Sequence, residues 1–103
     1  MLSSDLGSSI PYEYALKPNY PNPFNPVTNL SYDLPEDALV NITIYDMMGR
    51  KVRTLVSQSM PPGYHTTLWN ATNDNEIAVS AGMYIYTIHA NEFYEVKKMI
   101  LLK

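Results

Sequence analysis

Cysteine is absent from the 103 residues, so disulfides, thiolate metal sites and a cysteine nucleophile are excluded. No apolar run approaches the roughly 20 residues a helix needs to cross a bilayer. The longest, Met99 to Leu102, is a short segment at the end. The opening MLSSDLGSS lacks the basic start and apolar centre of a signal peptide. Any export signal is therefore expected upstream of it. There is no excess of positive charge either. The net charge is -3, and nothing in it asks for nucleic acid as a partner. The nucleophile elbow, the zinc-protease helix and the phosphate loop are all missing. No stretch has a helical apolar period.

What is present is a globular composition, 46% hydrophobic and 17% charged, in a length that makes one domain at most. Residues 1–18 carry Ser, Gly and Pro without a sustained period and read as a linker or N-terminal arm, in which IPYEYAL can form a short edge strand. From Leu30 the period is two. LSYDL sets Leu30, Tyr32 and Leu34 against Ser31 and Asp33. VNITIYD sets Val40, Ile42 and Ile44 against Asn41, Thr43 and Tyr45. KVRTLVS follows the same alternation except at Leu55, and YHTTLWN, MYIYTIHA and YEVKKMILL complete the series. Alternation of this kind marks strands with one buried face, and their spacing predicts an all-β antiparallel sandwich of six or seven strands.

The connections fit. In YDMMGRKV, Asp46 can cap the turn and Gly49 can supply the positive φ of a three-residue hairpin with a bulge. In MPPGYH, the prolines stiffen the chain and Gly63 reverses it. NYPNPFNPVT, residues 19 to 28, is the unusual stretch. Proline has no N–H and pushes its predecessor towards extended backbone. The stretch is expected to be a stiff, polyproline-like collar, with Asn22 and Asn25 closing turns on their own backbone and Tyr20 and Phe24 pinning it to the sandwich.

Taken in order, these pieces resemble a known family. A Pro21-Asn22-Pro23-Phe24 opening, a hairpin with Asp46 and Gly49, a strand from Gly63 to Trp69, a Gly82-x-Tyr84-x-Tyr strand and a Lys-Lys apolar end are together similar to the type A C-terminal sorting domain of the type IX secretion system. That family is itself related to the immunoglobulin-like domain of flagellar hook-capping proteins. The resemblance covers residues 19–103. It implies an immunoglobulin-like sandwich and a non-catalytic role as an export address for a cargo domain upstream in the same polypeptide. It further implies recognition by the outer-membrane secretion machinery, a sortase-like surface protease, and a location at the cell surface or in the medium. The loop ATNDNEIAVSAG departs from the family, with Ala71 and Asn75 where glycines are usual.

For such an address, the expected recognition element is Lys97, Lys98, Met99, Ile100, Leu101, Leu102 and Lys103. A receptor can pair with an edge strand and select alternate side chains. The plain alternative is a closing strand whose lysines guard against aggregation. An exposed edge can also pair two copies into a dimer, and a module for protein assembly is a second reading. A third is sugar binding by Trp69, Tyr84 and Tyr86, which are otherwise core residues. Asn73, Asp74, Asn75 and Glu76 offer oxygens to calcium but lack the calcium-loop pattern, so a polar turn is expected and no cofactor. His65 and His89 read as packing or surface residues. The Asn-x-Ser/Thr triplets at Asn29, Asn41 and Asn70 receive no role.

Overall fold

The computed structural model describes residues 10–103. Seven strands follow in order: β1 (Ala15–Leu16), β2 (Thr28–Leu34), β3 (Ala38–Asp46), β4 (Lys51–Met60), β5 (Gly63–Trp69), β6 (Gly82–Ala90) and β7 (Phe93–Leu101). They form two antiparallel sheets, one ordered β1-β2-β5 and the other β4-β3-β6-β7. The all-β immunoglobulin-like sandwich read from the sequence is the fold observed.

The alternating pattern builds the core directly. Leu30, Tyr32 and Leu34 of β2 face Val40, Ile42 and Ile44 of β3 and Tyr86 and Ile88 of β6 across the sandwich, all at most 2% exposed. Each such side chain contributes about 1.5–3 kcal/mol on leaving water. Chain crossings between sheets occur at Pro35–Asp37, at Pro61–Pro62 and through residues 70–81, where polar and proline-rich segments leave one sheet for the other.

The hairpins obey their sequence signals. Asp46 N–H donates to the Arg50 carbonyl and Gly49 N–H to the Asp46 carbonyl, enclosing Met47, Met48 and Gly49. Gly49 has φ +85°, the left-handed conformation that glycine adopts without a Cβ penalty. Asp46 Oδ1 accepts from the Met48 and Arg50 amides at 2.9 and 3.0 Å, and Oδ2 from Arg50 Nε at 3.0 Å. The Arg50 amide, with the Met48 amide, holds the Asp46 carboxyl below its ordinary range. Leu55 breaks the alternation for a physical reason. Ile42 pairs with Val56 and Thr43 with Thr54, so Leu55 is the extra residue of a β-bulge. The bulge lets it pack against the core instead of facing solvent.

The arm before residue 19 supplies β1. Ala15 and Leu16 pair with Asp33 and Tyr32, and Leu16 is 4% exposed. The short edge strand expected within IPYEYAL is thus present, and residues 1–9 lie outside the described part of the chain.

Candidate functional site: the clasp on the closing strand

The proline-rich stretch is not an extended collar. Tyr20 and Asn29 exchange backbone bonds of 3.0 and 2.9 Å, which folds residues 20–29 into a closed loop. The Tyr20–Pro21, Asn22–Pro23 and Asn25–Pro26 peptides are cis. Extended polyproline geometry was expected because each proline constrains its own neighbour; the local rule does not foresee the long-range bonds that fold the loop back.

Those bonds reach the far end of the chain. Phe24 N–H donates to the Ile100 carbonyl at 3.0 Å, and Leu102 N–H donates to the Phe24 carbonyl at 2.8 Å. Asn22 does not close a turn on itself. Its Oδ1 accepts from Ile100 N–H at 3.0 Å, across 78 residues. Phe24 and Leu101 therefore form a parallel bridge at the outer edge of β7. The Phe24 ring is 1% exposed and sits 5.7 Å from the Trp69 ring, which is in turn edge-on to Tyr84 at 5.3 Å. Trp69 Nε1 donates to the Thr72 carbonyl at 2.8 Å, and the Tyr84 hydroxyl donates to the Ser80 carbonyl at 2.6 Å, so both polar tips are satisfied. Tyr20, by contrast, is 77% exposed and holds the loop only by its backbone.

A second polar knot anchors the same loop from inside. Asn19 is 3% exposed, its N–H donates to the Tyr86 hydroxyl at 2.9 Å, and its Nδ2 donates to Thr28 Oγ1 at 3.0 Å. The Tyr86 hydroxyl donates to the Lys17 carbonyl at 3.1 Å, and Thr28 Oγ1 to the Pro21 carbonyl at 2.8 Å. Burial pushes the Tyr86 hydroxyl up to about 12. Sequence reasoning missed Asn19, Thr28 and Tyr86 as a group because buried polar residues carry no periodic signal. Asn19 adjoins the proline run, and that position is the one hint.

The candidate recognition residues alternate along the clasped strand. Met99 and Leu101 are buried at 0% and 1%, while Ile100 and Leu102 are 39% and 51% exposed. Lys98 and Lys103 are exposed, and Lys97 Nζ pairs with Glu95 at 3.4 Å. The tail is thus half core and half surface. Most of the residues that carry the family resemblance gather at the same end: Phe24, Trp69 and Tyr84 pack together, Pro21, Asn22 and Pro23 form the loop that holds Ile100, and Gly82 opens β6 opposite Leu101 at φ +147°. Gly63, at φ +145°, opens β5 at the other end of the sandwich.

The competing sites lose their geometry. Trp69, Tyr84 and Tyr86 are 0%, 5% and 0% exposed, so they offer no flat surface to a sugar ring. Asp74 Oδ1 accepts from the Thr54 amide at 3.1 Å, Asn73 Oδ1 from the Asn75 and Ile77 amides, and Glu76 pairs with Arg53 at 3.1 Å. These oxygens serve the turn and the bulged strand. Ala71 has φ 64°, in the left-handed region where glycine was expected; the second such position is Glu76, not Asn75. His65 stacks on Tyr32 at 5.3 Å and His89 lies 4.4 Å from Tyr94.

Comparison with known proteins agrees with this geometry. Residues 19–102 match the family described as the secretion system C-terminal sorting domain. No curated protein matches the chain. Among solved structures, it superposes on dimeric latent PorU from Porphyromonas gingivalis with a TM-score of 0.67 and 22% identity, over 86% of this chain and 9% of that one. It superposes on PorZ, an essential surface component of the type IX secretion system of the same organism, with a TM-score of 0.61 and 18% identity, over 85% of this chain and 11% of that one. The chain spans about a tenth of the length of these structures. With the family match running from the loop that makes the clasp to the strand that it holds, the chain belongs to the secretion system C-terminal sorting domains, the address by which a cargo is exported across the outer membrane through the type IX machinery.

Proposed function

We propose that this domain carries a larger upstream protein to the cell surface and that the secretion machinery reads the exposed side of the end of β7 and the two residues after it: Lys98, Ile100, Leu102 and Lys103. The observation that carries this is the alternation at the clasp. Met99 and Leu101 are locked inside, while their neighbours are displayed on a strand whose end is fixed by Asn22 and Phe24. A strand held in this way needs no ordering on binding, which removes an entropic cost from recognition. A sortase-like surface protease then acts on the chain ahead of β1, since Ala15 and Leu16 are part of the sandwich. The domain itself performs no catalysis.

The test is export of a fluorescent reporter fused ahead of the domain, with a general secretion signal, in a host that has a type IX system. Deleting the tail would unfold the sandwich, since Met99 and Leu101 are core. The informative variant instead changes Lys98, Ile100, Leu102 and Lys103 to Gln, Thr, Thr and Gln, and leaves the core side untouched. The wild-type fusion is expected at the surface or in the medium, and the folded variant in the periplasm. Export of the variant at the wild-type level would refute reading at the tail. Retention of the folded wild type would refute the address reading for that host.

A further inference from the structure

β7 is the edge strand of its sheet, and its outer edge is only partly covered. The bonds to Asn22 and Phe24 show that Ile100 and Leu102 point their backbone groups outward. By the alternation of a strand, Tyr94, Val96 and Lys98 do the same. Among the described residues, no backbone or side-chain hydrogen bond reaches these outward groups. The proline loop closes the edge at Ile100, and the Asn91–Glu92 turn closes it at the other end. Val96 is the midpoint of what remains open.

We infer that this open edge pairs with the same edge of a second copy, antiparallel about a two-fold axis at Val96, to give one continuous sheet. The charges select both the occupant and the register. In this register Glu95 faces the second copy's Lys97 and Lys97 faces its Glu95, as directly opposed, closely spaced pairs. On the other face Lys98 lies opposite Tyr94, and Val96 meets Val96. Tyr94 and Val96, 52% and 46% exposed, become covered. Every neighbouring register is worse. Centring on residue 95 opposes Glu95 to Glu95, and centring on 97 or 98 opposes lysine to lysine. Centring on 94 runs the pairing into the turn, and centring on 98 also runs it into the proline loop. Lysines on a free edge normally discourage pairing; here the register centred on Val96 sets each Lys97, already 3.4 Å from its own Glu95, directly opposite a second Glu95. The contact is isologous, so it closes at two copies. It is independent of the export reading, because it requires only the folded chain.

The full chain examined by sedimentation across a concentration series is expected to move from monomer to dimer. Val96→Pro removes an N–H that points outward, away from β6, so the fold persists and the dimer is lost. Glu95→Lys and Lys97→Glu each oppose like charges twice and are expected to dimerise about tenfold more weakly. An equimolar mixture of the two variants is expected to recover wild-type association, since each then faces its complement, and a loss caused by misfolding cannot recover in this way. A wild type that remains monomeric throughout, a dimer indifferent to Val96→Pro, or a mixture no tighter than its components would overturn the inference.

Discussion

Phe24 is the residue on which the two ends of the chain depend. Its ring fills the space against Trp69, and its backbone holds β7. Phe24→Ala should cost about 3–5 kcal/mol, the usual loss for a buried aromatic, read as a lower urea midpoint with an unchanged slope. Tyr86 gives a prediction in pH. Its hydroxyl titrates near 10 in the unfolded chain and near 12 when folded, because burial disfavours the phenolate. The stabilisation is complete below pH 10 and declines as pH rises from 10 to 12, where only the unfolded form releases the proton. Tyr86→Phe should flatten that part of the stability profile, measured by thermal melts at stepped pH. The core aromatics were legible from their alternation. Asn19 was not, since a buried amide is recognised only by what it bonds, here Thr28 and the Tyr86 hydroxyl.

Among the elements, the hairpins were the most legible and the proline loop the least. Asp46 and Gly49 act within five residues, so a local rule captures them; Gly49→Ala should cost about 1 kcal/mol through its positive φ, seen as a lower melting temperature. Leu55 was visible as a break in the period, and pairing across β3 was needed to identify the bulge. Asn22 was read as a turn former because its partner lies 78 residues away. Asn22→Ala should leave the global unfolding midpoint nearly in place while the Ile100 amide, and then Leu102, exchange with deuterium at least about tenfold faster. Unchanged protection at both amides would show that the carboxamide does not hold the strand.

For the molecule as a whole, strand number and the sandwich architecture followed from periodicity, but strand order did not. Three crossings between sheets separate neighbours in sequence from neighbours in space. A chain ending at Lys98 loses Met99 and Leu101, about 3–6 kcal/mol of burial against a total stability on the order of 5–15 kcal/mol. It should melt without a cooperative transition by circular dichroism.

The clasp also has a meaning in time. Synthesis proceeds from the N-terminus, so the proline loop exists long before the strand that it holds. Until Ile100 and Leu102 have left the ribosome, the Asn22 carboxamide and the Phe24 backbone have nothing to bind at this edge. A chain interrupted anywhere before that point, however much of its cargo has been made, cannot present the finished edge. The closed clasp is therefore a receipt for synthesis carried at least through Leu102, and a machinery that reads this edge, as we propose, would pass over chains broken off before it.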